Sequence, residues 1–201
     1  MSTTALFVDL LIIGIQVATW LILLIFTVFG YNWFSLDYIK ERETVIAVVL
    51  LPMFYPVGIF IDNLADYILN SWREKIWEKY DSSKKQTVSR LLTTLKDDRL
   101  SDYFDYVRIR IRISRSSALN FTLITILSVI FTLTRLGTVL GDSKWTVVAF
   151  ELVIGAFFIG LAIYSWFSIT DTFYRKLKQG WEMMPTDANS IEGQIRFRAK
   201  E

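Results

Sequence analysis

The stretch DYFDYVRIRIRISRSSALN, residues 102–120, determines how the rest of this chain is organised. Within eight positions it holds Arg108, Arg110, Arg112 and Arg115, interleaved with isoleucines. An apolar run over residues 118–131 follows directly, and it is long enough to enter a bilayer. Cations at the mouth of a membrane span determine which side that mouth faces. They also need anions, which come from lipid head groups or from the protein itself.

The composition is that of a membrane protein. The residues are 53% hydrophobic, and the apolar ones come in blocks, as membrane spans do. The chain has no cysteine and no histidine, so thiolate chemistry is excluded and the commonest general base and metal ligand are missing. No nucleotide-binding or metal-binding motif is present either. The sequence therefore predicts a protein that is not an enzyme and that uses no cofactor and no metal.

Apolar blocks at about residues 5–29, 44–67, 117–136 and 145–167 predict an all-α fold with four transmembrane helices. The first two spans form a hairpin within residues 1–70, and the last two form a second hairpin within residues 117–168. Between the hairpins lies a basic segment, residues 71–116. Its first part, residues 71–80, is predicted either to lie on the membrane or to continue the second span, and residues 87–96 to form a short amphipathic helix. The tail, residues 169–201, begins as a helix.

The conformation of residues 107–113 is ambiguous from the sequence. As a strand, the run alternates arginine with isoleucine. As a helix, it places Arg108, Arg112 and Arg115 in one stripe and leaves Arg110 outside it. The helix is preferred because no glycine or proline separates the run from the third span. This interpretation predicts one long helix from residue 102 to about residue 136.

Lysine and arginine are concentrated on one side of the predicted membrane. Segment 71–116 holds twelve of them and the tail six, whereas the connections at 30–43 and 137–144 hold two and one. The positive-inside rule then places the basic segment and both termini in the cytoplasm. The predicted location is the inner (plasma) membrane, crossed four times.

Four charged residues are predicted to act as buried counter-ions. Asp62 and Asp66 lie one turn apart near the cytoplasmic end of the second span, so we expect them to pair with the arginine run. In the alternative interpretation, the arginines neutralise anionic lipids. Arg135 and Glu151 are equidistant from the centre of the connection between the third and fourth spans. They should therefore lie at the same depth and pair with each other.

Two polar faces could line a path through the membrane. One face of the first span carries Asp9 and Gln16, and one face of the third span carries Thr125, Ser128 and Thr132. Such residues also join helices by hydrogen bonds, so packing is the alternative role. Because four helices are too few to enclose a wide pore, a path would lie between subunits. The sequence accordingly favours a homo-oligomer, with a tetramer as the preferred state.

Two classes of function remain open. The first is an oligomeric channel, permeabilising effector or sensor that is gated by a ligand or a partner. Here the arginine run would bind an anion such as a nucleotide or nucleic acid. The second is a scaffold that recruits a soluble cytoplasmic protein and has no pore. In length, number of spans and basic cytoplasmic segment, the chain is similar to the small four-span membrane components of bacterial anti-phage systems, such as the Kiwa type. That resemblance implies oligomeric sensing or permeabilisation in anti-phage defence.

Overall fold

The computed structural model describes residues 3–31, 36–80 and 98–182, with side chains for residues 9–31, 52–80 and 101–182. Every described residue except Gly30 and Tyr31 is helical, so the all-α prediction is confirmed. Helix α1 spans Thr3–Phe29, α2 Leu36–Tyr80 and α3 Asp98–Phe131. A π-helical turn, Thr132–Leu136, the short helix α4, Gly137–Leu140, and a 3-10 turn, Gly141–Ser143, lead into α5, Lys144–Glu182.

The arginine run is helical along its whole length. It lies inside α3, which begins at Asp98 and is followed without a break by the π-helical turn. The predicted long helix is therefore confirmed, and the alternative of a strand is wrong. No glycine or proline follows the run before residue 137, so the sequence contains no signal that would end the helix before the π-helical turn.

Helix α2 is 45 residues long and contains both Pro52 and Pro56. Residues 71–80 continue this helix, so the second of the two predictions for that part is confirmed. The tail also begins as a helix, because α5 extends to Glu182. The predicted amphipathic helix at 87–96 and the tail after residue 182 lie outside the described residues.

Two described stretches are long and apolar enough to cross a membrane. They are Asp9–Phe29 and Ser101–Glu182, each of which contains an 18-residue window of high mean hydropathy, 2.5 and 2.4 respectively. The second stretch folds back on itself at Gly141, which adopts a positive φ of 55°. After this turn, α5 packs along α3. The sequence predicts four separate spans, whereas only these two stretches of the described residues meet the criterion for crossing a membrane.

Helix α1 approaches α2 closely because glycines lie at the crossing. A Cβ atom on Gly14 would meet the backbone carbonyl oxygen of Phe54, and one on Gly58 would meet that of Leu10. A larger residue at either position would push the two helices apart. Helix α1 also packs on α3, so α1 contacts both of the helices that carry the arginine run and its aspartates.

A second packing centre joins the far parts of α2, α3 and α5. Its aromatic rings meet edge to face, with centroids 5.4 Å apart for Phe104 and Phe173 and 5.1 Å apart for Trp77 and Tyr174. Its buried members are Ile76, Phe104, Val107, Trp166, Phe173, Tyr174 and Leu177. This apolar cluster lies directly beside the arginine run and holds the three helices that carry the candidate site.

Candidate functional site

The four arginines of α3 have different surroundings, as their helical spacing requires. Arg115 is buried, Arg112 is partly buried, and 52% of the Arg108 side chain is exposed. Arg110 lies off their stripe, with its guanidinium 5.3 Å from the centre of the Tyr106 ring. Burial therefore increases along one face of α3 from Arg108 to Arg115, while Arg110 faces elsewhere.

Asp62 of α2 receives the two deeper arginines. The Arg112 Nε atom lies 2.8 Å from Asp62 Oδ2, and the Arg115 Nη2 atom lies 2.6 Å from Asp62 Oδ1. The Ser116 hydroxyl donates a third hydrogen bond, of 3.3 Å, to Oδ1. The Asp62 side chain is only 7% exposed, so this is a buried ion pair in which both carboxylate oxygens have partners. A buried ion pair offsets the cost of removing its charges from water only when the two groups are well oriented and their remaining polar atoms are hydrogen-bonded.

Asp66 extends the ionic cluster by one helical turn. Its Oδ1 atom accepts hydrogen bonds from Arg115 and from Arg73 of the same helix, the latter at 2.7 Å. Arg73 also donates to the side chain of Asn70. The structure thus brings together both aspartates and both deep arginines that the sequence singled out, and it adds Arg73, which sequence reasoning missed.

Beside this ionic cluster lies a pocket of about 550 Å³ between α2, α3 and α5. We call it the arginine pocket, because one wall carries three arginines of α3. The other lining residues are aromatic, aliphatic, acidic and, in Arg73 of α2, basic. The lining residues are Arg73, Glu74, Trp77, Glu78, Arg108, Ile111, Arg112, Arg115, Thr170, Phe173, Tyr174 and Leu177. Its size is within the range of pockets that hold small molecules.

Three buried polar atoms of the pocket residues have no hydrogen-bond partner among the described residues. They are Thr170 Oγ1, Trp77 Nε1 and Arg115 Nε. Thr170 as a whole is 1% exposed. A buried donor without an acceptor costs about 1–3 kcal/mol. All three atoms can donate, and none of them is bound by the carboxylates of Glu74 and Glu78 that line the same pocket.

A polar contact between α2 and α5 lies near the pocket. Asp171 Oδ1 accepts hydrogen bonds from the Tyr80 hydroxyl at 2.7 Å and from Lys79 Nζ at 3.1 Å. The hydrogen bond from Tyr80 holds the pKa of Asp171 below its usual value, and the hydrogen bond to Asp171 raises the pKa of Lys79. Burial raises the pKa of Tyr174 in the pocket wall.

The structure corrects the predicted pair of Arg135 and Glu151, because each side chain has other partners. Arg135 donates to the backbone carbonyl oxygens of Thr27, at 2.9 Å, and Val28. These carbonyls lie in the last turn of α1, where helix carbonyls lack intrahelical partners. Arg135 belongs to the π-helical turn, whose wider winding changes the direction in which its residues point. This turn carries Arg135 toward α1 instead of α5.

Glu151 is instead bound by hydroxyl groups. Its Oε1 atom accepts hydrogen bonds from Ser128 and Thr132, each of 2.8 Å. These two residues were predicted as possible path lining. The hydroxyl of Thr125, from the same predicted face, bonds to the backbone carbonyl of Phe121. The hydroxyl face of α3 is therefore turned toward α5 and used within the chain.

The polar face of α1 is used in a similar way. The Gln16 side chain exchanges hydrogen bonds with Ser117, at 3.0 and 3.1 Å, and accepts one from Asn120 at 3.1 Å. Trp20 donates to Asn120 at 3.2 Å. Sequence reasoning missed Ser117 and Asn120, although their spacing of three residues places them on one helix face. Asp9 is partly buried, and its Oδ2 atom has no hydrogen-bond partner among the described residues.

No protein-family model, no curated protein and no solved structure matches the chain. The resemblance to four-span components of anti-phage systems remains a prediction from organisation.

Proposed function

We propose that this protein is a multi-pass inner-membrane sensor that binds the anionic group of a ligand in the arginine pocket. In this proposal it crosses the membrane four times, with both termini and the pocket on the cytoplasmic side. The observation that carries the proposal is that two arginines of the pocket wall, Arg112 and Arg115, also hold α3 to the buried Asp62 of α2. A ligand that binds these guanidinium groups acts directly on the contact between two helices.

The distribution of apolar side chains supports a membrane location. On α5, Phe150, Val153 and Phe157 are each at least 60% exposed. On α1, Phe29 is 73% exposed and Val28 is 57% exposed. Large apolar side chains facing outward along a helix are normal in lipid and unfavourable in water. Together with the clustering of lysine and arginine in segment 71–116, this supports spans whose basic ends face the cytoplasm.

The chemistry of the pocket supports an anionic ligand. Guanidinium groups bind phosphate and carboxylate oxygens with two parallel hydrogen bonds. Arg108 has the loosest pairing of the three α3 arginines in the pocket, since its nearest carboxylate, that of Asp105, lies 3.8 Å away on a solvent-exposed surface. Arg108 is therefore free to meet an incoming anion first.

The binding signal would pass through the ionic cluster. Asp62 and Asp66 compete with any bound anion for Arg112 and Arg115, because the same guanidinium groups serve both. Partial transfer of these arginines to the ligand weakens the contact between α2 and α3. A ligand shifts a conformational equilibrium by its differential affinity for the two states, and here the difference lies in how strongly Asp62 and Asp66 hold the arginines.

A pore inside a single chain is less well supported. Gln16, Ser128 and Thr132, which were predicted as path lining, bind partners within the chain. A path would therefore have to form between copies of a homo-oligomer, with the tetramer as the preferred state. Ion flux from liposomes that contain the purified protein would show that the protein is a channel or permeabilising effector and not only a sensor.

The proposal is tested by titrating inorganic pyrophosphate into the purified full chain in lipid nanodiscs, with tryptophan fluorescence as the readout. Trp77 lines the pocket, so a saturable change is expected for the unaltered protein and should be lost in Trp77→Phe. Arg108→Gln should weaken binding about tenfold or more, because a charge-assisted hydrogen bond contributes about 1.5–3 kcal/mol.

Arg110→Gln is the matched control. It removes the same charge from the same run, but its side chain does not line the pocket. Equal loss of affinity in both variants would show that the charge of the run, and not the pocket, attracts pyrophosphate. No saturable change in the unaltered protein would contradict the proposal.

A further inference from the structure

The arginine pocket is also lined by two carboxylates, which we call the glutamate wall. Glu74 and Glu78 of α2 lie one helical turn apart, so they share one face of the helix, and both line the pocket. Glu74 accepts a hydrogen bond of 3.1 Å from Asn70. Among the described residues, no ion pair joins either glutamate to an arginine of α3. Both glutamates are exposed, and Arg73 lies beside them on α2, so the pocket presents both signs of charge.

Two unbridged walls of opposite charge restrict the ligand that fits between them. A ligand with negative charge alone would face the two glutamates, and like charges placed together across an interface are costly. A purely apolar ligand would remove the charges from water without pairing them, which is also costly. A ligand that carries both signs of charge satisfies both walls. The remaining surface, with Ile111, Phe173 and Leu177, is apolar.

We infer that the ligand of the arginine pocket is a zwitterion of the phosphoethanolamine type. Its phosphate binds the arginines of α3, its ammonium group binds Glu74 and Glu78, and an attached apolar group packs on Ile111, Phe173 and Leu177. This inference rests on the proposed function, because it assigns the ligand class of the same pocket. Ethanolamine phospholipids and free phosphoethanolamine share this head-group chemistry. The site's position at the end of the proposed spans brings it to the depth of lipid head groups.

The ammonium group is the part that distinguishes this ligand. A primary ammonium donates three hydrogen bonds and can serve both glutamates. A trimethylammonium group donates none, and a glycerol head group has no positive charge. The glutamate wall should therefore prefer ethanolamine head groups over choline and glycerol head groups that carry the same acyl chains.

The inference is tested by native mass spectrometry of the full chain, released from nanodiscs that contain equal amounts of phosphatidylethanolamine, phosphatidylcholine and phosphatidylglycerol. The unaltered protein should retain phosphatidylethanolamine at least tenfold more than either competitor. The double variant Glu74→Gln, Glu78→Gln should lose this preference. Glu182→Gln is the control, since Glu182 is exposed, lies on α5 and does not line the pocket.

Adding soluble phosphoethanolamine distinguishes the two sources. Displacement of the retained lipid shows that the head group alone suffices, whereas a lipid that resists displacement shows that the acyl chains also bind. Either result supports a zwitterion. Equal retention of all three lipids, with no effect of the double glutamate variant, would overturn the inference.

The experiments distinguish failure of the inference from failure of the proposed function. If the lipids are retained equally but Arg108→Gln still weakens pyrophosphate binding, the anion site survives and the zwitterion does not. If Arg108→Gln also leaves pyrophosphate binding unchanged, both are overturned.

Discussion

Replacing Asp62 with asparagine is the most direct test of how this bundle is held together. The change keeps the shape of the side chain and removes the negative charge that Arg112 and Arg115 share. Removing one partner of a buried ion pair costs about 3–5 kcal/mol. Asparagine keeps one oxygen acceptor, so the lower end of this range, about 3 kcal/mol, is expected.

The loss of stability should be larger for the more deeply buried of the two aspartates. Asp66 also binds Arg115, but 40% of its side chain is exposed, and solvent screens exposed pairs to about 1 kcal/mol or less. In a protein of this size, 1 kcal/mol shifts the melting temperature by about 2–4 °C. Asp62→Asn should therefore lower it by roughly 6–12 °C, and Asp66→Asn by a few degrees at most.

The assay is thermal melting of the detergent-solubilised full chain, followed by circular dichroism. Asp142→Asn is the matched control, because Asp142 is exposed in the 3-10 turn Gly141–Ser143 and makes no ion pair among the described residues. If Asp62→Asn and Asp142→Asn have the same melting temperature, the aspartates are not the counter-ions that hold α3. The alternative, in which anionic lipids neutralise the arginines, would then be the better explanation.

Three further predictions concern packing, the Glu151 site and pH. Gly58→Ala should destabilise the fold by about 1–3 kcal/mol in detergent melting, because its Cβ would overlap a backbone carbonyl of α1; Gly160→Ala, with no atom within 4 Å of its added Cβ, should not, and equal losses would contradict the close crossing. Glu151→Gln should be better tolerated than Glu151→Ala in the same assay, because the amide oxygen still accepts the two hydroxyl hydrogen bonds; the reverse order would contradict a stabilising role for these two hydrogen bonds. The lowered pKa of Asp171 means that its contribution to stability is present above the unfolded-state pKa of about 3.9 and is lost as the pH falls through the lower folded-state value. Between pH 7 and pH 3, the melting temperature should therefore decrease less steeply for Asp171→Asn than for the unaltered protein. Identical slopes would contradict a role for this carboxylate.

The helices could be predicted from the sequence because their signals are local. Apolar blocks, the absence of helix breakers after the arginine run and the spacing of Arg108, Arg112 and Arg115 all concern neighbouring residues. The contact of these arginines with Asp62 and Asp66 was also within reach, since charges placed at the ends of adjacent spans have few other partners. What the sequence could not indicate was which arginine goes deepest, since this depends on how α2 and α3 cross.

The partners of Arg135 could not be predicted, because one change in helix winding decides them. Counting from the connection assumed an ideal helix on both sides, whereas Thr132–Leu136 is a π-helical turn. The arginine pocket was also beyond sequence reasoning. Thr170 and Trp77 come from parts of α5 and α2 outside the predicted spans, and they line one pocket because both helices continue past the ends of those spans.

The position of Arg135 has a consequence for ion selectivity. Its guanidinium group is held by two carbonyl oxygens at the end of α1, 20 residues along the chain from Arg115 and therefore about 30 Å away at the opposite end of the hairpin. A fixed positive charge at a membrane entrance repels cations and attracts anions. If the proposed topology holds and copies of the chain form a path past this end of α1, Arg135 would favour anions over cations there.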